Sequence, residues 1–110
     1  MEIALIYFSR GGNTRKIAEA MAEELEVTAV DVMKEQPDVS DVDLLVVGSG
    51  TYGSKPGKEL VAYLENLKPV EGKKAACFSS CASGDASRTL DAMKDILSER
   101  ATPMWIVSLA

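Results

Sequence analysis

The chain of 110 residues is 46% hydrophobic and carries a formal net charge of −5. It is long enough to bury one core without a metal or cross-links, which predicts a single domain over residues 1–110, and it is too hydrophobic to be disordered. Without a basic cluster, an apolar run of about 18 residues or a signal peptide, it is expected to bind neither nucleic acid nor a membrane and to be cytoplasmic.

Apolar runs and helical periodicities alternate along the chain. Residues 3–8 form a continuous apolar run, which predicts an inner strand of a parallel sheet, and residues 13–25 repeat apolar side chains at helical spacing. The polar stretch 34–41 contains Pro37 and predicts a loop or a single turn. The other predicted elements are strands at 27–32, 44–47, 74–78 and 104–109, a helix at 56–67 with Pro56 in its first turn, and a helix at 87–100.

This alternation predicts an α/β fold with a parallel sheet and right-handed crossovers. Five strands with a loop as the second crossover favour a three-layer, doubly wound sheet of strand order 2-1-3-4-5. In such sheets ligands bind beyond the carboxyl ends of the strands, where strands 1 and 3 are adjacent. Three segments rich in glycine and serine follow strands 1, 3 and 4, so all three are expected at that edge.

The first of these segments, residues 9–14, joins a strand directly to a helix. The first N–H groups of a helix have no partner within it, and together with the positive end of the helix dipole they favour a bound phosphate. The glycines allow close approach of the backbone and positive φ. An ordinary strand-to-helix connection, capped by Asn13, is the alternative interpretation. The candidate phosphate-binding residues are Ser9, Arg10, Gly11, Gly12, Asn13 and Thr14.

The second segment follows the third strand and contains Tyr52 between Thr51 and Gly53. A tyrosine next to glycine can offer its face to an aromatic ring, an arrangement that contributes about 0.5–1.5 kcal/mol beyond its buried area. Alternatively, Tyr52 only covers the edge of the sheet. A phosphate-bearing ligand with a flat ring would use both this segment and the first.

Two cysteines and the absence of histidine limit the chemistry of the site. No Cys–His or Ser–His nucleophile pair is possible, and the C-x3-C spacing of Cys77 and Cys81 fits neither a redox pair nor a zinc site. Cys77 lies in an apolar strand and is expected to be a buried small hydrophobe. A phosphatase loop requires five residues between cysteine and arginine, whereas six separate Cys81 from Arg88.

The run from Leu5 to Met21 resembles the phosphate loop of the flavodoxins. The resemblance rests on the aliphatic and aromatic end of the strand and on Ser9, Gly12, Thr14, Ala18 and Met21; Gly11 departs from it, as a third hydroxyl residue is common there. The second segment is similar to the flavodoxin loop in which an aromatic residue precedes glycine. The third, residues 78–85, is similar to the loop that receives the pyrimidine edge of the flavin, but it lacks the second aromatic residue of many relatives.

The resemblance implies FMN as the cofactor and no catalytic side chain or metal ligand. By resemblance, Tyr52 stacks on the isoalloxazine ring and the carbonyl of Gly53 accepts from flavin N5–H. Backbone groups of the third segment contact the pyrimidine edge. The further cofactor-binding residues it implies are Thr51, Ser54, Ser79, Ser80, Cys81, Ala82, Gly84 and Asp85.

The function implied is one-electron transfer between redox partner proteins. A small FMN-dependent NAD(P)H quinone or flavin reductase is the alternative, and a binding domain without flavin is the third possibility. Flavodoxins also continue into a final helix, which this sequence lacks. Since strand 104–109 is apolar on both faces, self-association through the sheet face beside it is expected.

Overall fold

The computed structural model describes residues 2–10, 12–36, 42–50, 56–66, 74–80 and 87–98, and the backbone of 102–109. Strands and helices alternate, as the sequence predicts. The elements are β1 (Ile3–Phe8), α1 (Asn13–Leu25), β2 (Ala29–Asp31), β3 (Leu44–Gly50), α2 (Lys58–Glu65), β4 (Lys74–Ser80), α3 (Ser87–Ser98) and β5 (Thr102–Leu109).

The strands form one parallel sheet. Its order is β2-β1-β3-β4-β5, and each neighbouring pair is parallel. The predicted α/β class and the predicted order of β2, β1, β3 and β4 are therefore confirmed. The order changes direction between β1 and β3, which makes the carboxyl ends of these two strands the expected position of a ligand.

Helices cover both faces of this sheet, which gives three layers. Successive side chains of a strand point to opposite faces, so β1 contributes to two separate cores. Leu5 and Tyr7 pack in the core that α1 covers, with Ala18 from that helix. Ile6 and Phe8 pack in the core that α2 and α3 cover. Cys77 is buried in this second core, as predicted. The members of the second core from the helices are Leu60, Tyr63, Leu64 and Met93.

Several element boundaries differ from the sequence prediction. β2 covers only Ala29–Asp31 instead of residues 27–32, because Val27 closes the end of α1. β3 and β4 continue beyond their apolar runs to Gly50 and Ser80, because the ladder between them extends through three small residues of β3 and two serines of β4. Side chains of β5 lie outside the described residues, and so does the predicted self-association through that part of the sheet.

The start of α2 also differs from the prediction. The sequence places Pro56 in the first turn, but the helix begins at Lys58 and Gly57 is its N-cap residue. The backbone N–H of Gly57 donates to the hydroxyl of Ser49 at 2.9 Å. A Cβ atom on Gly57 would lie only 2.2 Å from the ring of Phe8. The close approach of α2 to β1 and β3 therefore requires glycine at this position.

Helix α1 ends in a Schellman motif. The N–H of Val27 donates to the carbonyl of Ala22 at 2.9 Å, and the N–H of Glu26 donates to that of Glu23 at 3.2 Å. This motif needs a residue in the left-handed region, which is usually glycine. Here Glu26 occupies it with φ 58°. An acidic side chain at a helix carboxyl end is also unfavourable with the dipole.

Glu26→Gly is therefore expected to raise the free energy of unfolding by about 0.5–1 kcal/mol. Urea unfolding followed by circular dichroism measures this change. Glu24→Gly is the matched control, because Glu24 lies in the last turn of the same helix and glycine there should cost about 1 kcal/mol. A loss of stability in both variants would contradict a strained Glu26.

The phenol of Tyr7 makes stability depend on alkaline pH. Tyr7 is only 6% exposed, and its burial, followed by the nearby carboxylate of Asp31, raises its pKa above 10.0. The unfolded state therefore loses this proton first, and stability is expected to fall as the pH rises above 10.0. Tyr7→Phe should make this alkaline loss smaller in urea unfolding across that pH. If the free energy of unfolding fell equally with pH in the unaltered chain and in Tyr7→Phe, the alkaline loss would not come from Tyr7.

Candidate functional site

The carboxyl ends of β1, β3 and β4 lie in one row at the expected ligand edge. Phe8 is in register with Ser49, and Ser49 with Ser79; Gly50 is in register with Ser80. Adjacent strands are about 4.8 Å apart, so the three strand ends lie within about 10 Å of one another. The structure thus brings together the points from which the three predicted binding segments leave the sheet.

The first segment turns into α1 at Gly12. Gly12 has φ 89°, in the left-handed region, and it is the N-cap residue, whereas the sequence favours Asn13 for this position. In the alternative interpretation of this segment Asn13 caps the helix; in the structure Asn13 already belongs to the first turn, as the predicted helix at residues 13–25 has it. Positive φ at Gly12, in contrast, agrees with the role proposed for a glycine in this loop.

Hydrogen bonding within the segment orients its donors. The N–H of Gly12 donates to Oγ of Ser9 at 3.1 Å, so the Ser9 hydroxyl holds the loop closed and keeps its own hydrogen for donation. Gly12, the N-cap residue, has no side chain that could cap α1, and the first turn of the helix contains no acidic residue. Thr14, in the same turn, is only 2% exposed. No carboxylate within this first turn therefore compensates the positive end of the helix.

The two arginines near this helix start have different environments. Arg10 is exposed, and its guanidinium carbon lies 5.8 Å from the centroid of the Phe8 ring. Arg15 is turned along α1, where Nε donates to Oε1 of Glu19 at 2.6 Å. This exposed ion pair raises the pKa of Arg15 and contributes little to stability. Of the two, Arg10 is the cation within the predicted loop.

Two buried hydroxyls join the ends of β3 and β4. Oγ of Ser79 donates to the carbonyl of Ser49 at 2.8 Å. Oγ of Ser49 donates to the carbonyl of Gly50 at 2.8 Å and accepts from Gly57. Both serines are 0% exposed. The Ser79 hydroxyl therefore braces the sheet, and a cofactor contact of Ser79 through its backbone stays a prediction.

Sequence reasoning missed Ser49 as a structural part of the site. The available signal was its position between Gly48 and Gly50 at the end of an apolar strand, where a small polar residue can hydrogen-bond to neighbouring backbone. Ser49 thus connects the end of β3 to β4 and to the start of α2.

Much of the predicted ring-binding region lies outside the described residues, as does Gly11 of the first segment. The predicted roles of Tyr52 and Gly53 therefore stay predictions, and nothing is assigned to the side chains of Asn13 and Ser80. The other predicted site residues outside the described ranges are Thr51, Ser54, Cys81, Ala82, Gly84 and Asp85.

Two broader properties can be stated for the described part of the chain. Within it, no helix has the length and apolar character needed to cross a membrane. No three histidine, cysteine or acidic side chains among the same residues are grouped as metal ligands. The donors at the site are amides and a hydroxyl, which suit an anion rather than a cation.

A doubly wound parallel sheet whose order reverses between β1 and β3, with a helix that starts at a glycine directly after β1, is the architecture of α/β proteins that bind ligands at this edge. The sequence model of the flavodoxin domain matches residues 4–105. This chain belongs to the flavodoxin domain family. The family suggested by the residues of the three segments is thereby confirmed.

Individual proteins are also similar to this chain. An uncharacterised protein of Methanocaldococcus jannaschii is 36% identical over 69 residues, which are 62% of this chain but only 45% of that protein. A flavodoxin from the domain Archaea has a TM-score of 0.82 at 20% identity, covering 99% of this chain and 84% of that one. The Fusobacterium nucleatum flavodoxin bound to flavin mononucleotide has a TM-score of 0.73 at 14% identity, covering 94% and 70%. These solved structures share the fold with this chain.

Proposed function

We propose that this chain binds FMN, with the phosphate at the start of α1, and carries single electrons between redox partner proteins. The observation that supports this most directly is the start of α1 itself. Its N-cap residue is a left-handed glycine and its first turn contains no acidic residue, and both features favour an anion at the positive helix end, beside the switch between β1 and β3.

The phosphate would be held by this chain's amides and hydroxyls. Ser9 can donate its hydroxyl hydrogen while it accepts from Gly12, and the amides of the first turn add further donors. Arg10 supplies a positive charge in the same loop. The bound flavin supplies the redox chemistry, and the chain's residues bind it, orient it and set the charge around it.

The ring would extend from this loop toward the ends of β3 and β4. In this arrangement Tyr52 stacks on the ring, Gly53 offers its carbonyl, and backbone groups of residues 79–85 contact the pyrimidine edge. The hydroxyl bonds of Ser49 and Ser79 support this arrangement because they fix the two strand ends relative to each other. The FMN-bound flavodoxin with the same fold supports it as well.

The proposed partners are redox proteins of the cytoplasm with cationic docking surfaces. The support is the charge of this chain, a formal net −5, which accelerates encounters with positively charged proteins. Such encounters should slow as the ionic strength rises, because salt screens exposed charges.

Reconstitution with flavin tests the proposal. The purified chain should take up one FMN and bind it about tenfold or more tightly than riboflavin, which lacks the phosphate. Anaerobic reduction of the complex should proceed in two resolved one-electron steps. Rapid oxidation of NAD(P)H would favour the reductase instead, and failure to bind any flavin would leave a binding domain on this scaffold.

A further inference from the structure

A second concave surface lies beside α1, on the β2 side of the sheet. It is a cleft of about 760 Å³ lined by α1, β2 and the residues that follow β2, and we name it the β2 groove. Its lining includes Glu23, Thr28, Ala29, Asp31, Lys34 and Glu35. At one end it reaches Arg15, in the first turn of α1, and most of its lining lies along β2 and the later turns of the helix.

The backbone of β2, whose residues line the groove, has open hydrogen-bonding groups on its outer edge. The N–H of Val32 donates to the carbonyl of Tyr7 in β1. Because the backbone groups of alternate residues in a strand point to the same side, the N–H and carbonyl of Val30 also point toward β1. Those of Ala29 and Asp31 consequently point outward. The Asp31 carbonyl accepts from Lys34 and Glu35. Within the described residues, the N–H and carbonyl of Ala29 and the N–H of Asp31 have no partner, so they can pair with an added strand.

The groove is acidic. Four carboxylates and two cationic groups line it, and one of the cations, Arg15, is paired with Glu19. The remaining carboxylates, those of Glu23, Asp31 and Glu35, outnumber the single ammonium of Lys34. The Asp31 carboxylate also accepts a hydrogen bond from the backbone N–H of Met33 at 2.9 Å. The groove thus combines an open strand edge with an excess of negative charge.

We propose that the β2 groove docks an extended, lysine- or arginine-bearing segment of a partner protein, which pairs with β2 as an additional strand. Backbone hydrogen bonds would provide attachment, and the acidic side chains would select for positive charge. A second copy of this chain is a poor occupant, because pairing two β2 edges would place their carboxylates together. Since β2 has only three residues, the contact should be short-lived.

The probe for this proposal is the acetylated and amidated peptide Lys-Val-Lys-Val-Lys, added to the full ¹⁵N-labelled chain. Amide shift changes should concentrate at residues 28–31, and the Ala29 amide should become protected from hydrogen exchange. A Glu-Val-Glu-Val-Glu peptide should bind about tenfold more weakly. The affinity of the basic peptide should fall about fivefold when its alternate amides are N-methylated, because the methylated amides cannot donate backbone hydrogen bonds to β2.

Variants of the chain separate the backbone from the charge. Ala29→Pro removes an outward N–H that makes no hydrogen bond to β1, so the fold should be retained. The affinity for the basic peptide should fall about fivefold. Glu23→Gln and Glu35→Gln should each weaken it about twofold to threefold. Asp91→Asn makes the same charge change on α3 and should leave peptide binding unchanged.

Several results would overturn the proposal. Equal binding of the N-methylated peptide would exclude strand addition, and equal binding of the acidic peptide would exclude charge selection. Shift changes confined to another surface would place the docking elsewhere. A dimer in sedimentation that Ala29→Pro makes monomeric would assign the groove to a second copy. If Ala29→Pro does not fold, the N-methylated peptide decides the question with the unaltered chain.

Discussion

Gly48→Ala is expected to lower the free energy of unfolding by about 3 kcal/mol. A Cβ atom at this position would lie 2.0, 2.3 and 2.4 Å from three atoms of the Phe78 ring. Gly48 and Phe78 are register partners on neighbouring strands, so the two backbones cannot move apart without loss of the β3–β4 ladder. Urea unfolding at an unchanged m-value measures the loss.

The ring cannot move aside because it is enclosed. Phe78 is 0% exposed and packs in the core beneath α1, together with Leu5 and Val46. Close-packed interiors of this kind respond to an added methyl group with off-rotamer side chains and backbone shifts. The expected cost of Gly48→Ala is therefore steric, and it should depend on the size of residue 78.

Two controls isolate the steric cause. In a Phe78→Leu background, Gly48→Ala should cost about 1.5 kcal/mol less than in the unaltered chain, which a double-mutant cycle measures. Gly12→Ala is the matched glycine, because no atom lies within 4 Å of its added Cβ and only its φ of 89° opposes the change. It should cost about 1 kcal/mol. If Gly48→Ala and Gly12→Ala lowered the free energy of unfolding equally, the close contact with Phe78 would be contradicted.

The fold was predictable from the sequence because its signals are local and repeated. The apolar run of β1 and the helical spacing of α1 each specify one element, and right-handed crossovers then leave few possible arrangements. The length of β2 was not predictable in the same way. Val27 has the composition of a strand residue, but its N–H is used to end α1, a choice that depends on the turn at Glu26.

The position of the candidate site on the sheet was predictable, but the hydrogen bonds of its individual side chains were less so. Glycine and serine after three strands indicate the ligand edge, and the register of Phe8, Ser49 and Ser79 brings those strand ends together. A hydroxyl in a sequence does not reveal which way it points. The hydroxyl of Ser79 donates to the carbonyl of Ser49, because a serine buried between strands must satisfy its hydrogen bonds there; the cofactor contact assigned to Ser79 stays a prediction. In the alternative interpretation of the first segment Asn13 caps the helix, but the N-cap residue is the left-handed Gly12.

Asn13→Asp is expected to change apo stability and FMN affinity in opposite directions. Asn13 is the first residue of α1, whose first turn has no acidic group. A carboxylate there interacts favourably with the helix dipole and should raise the free energy of unfolding by about 0.5 kcal/mol. The same charge would oppose the phosphate of FMN and should weaken FMN binding by about thirtyfold, or about 2 kcal/mol. Urea unfolding and fluorescence titration measure the two effects.

Riboflavin and a second asparagine provide the controls for this variant. Riboflavin has no phosphate, so Asn13→Asp should change its affinity about threefold at most. Asn66→Asp makes the same chemical change at the carboxyl end of α2, where the Asn66 amide now donates to the carbonyl of Ala62 at 2.8 Å. It should lower apo stability and leave FMN affinity unchanged, because the dipole has the opposite sign there. If Asn13→Asp weakened riboflavin as much as FMN, the phosphate would not lie at the start of α1.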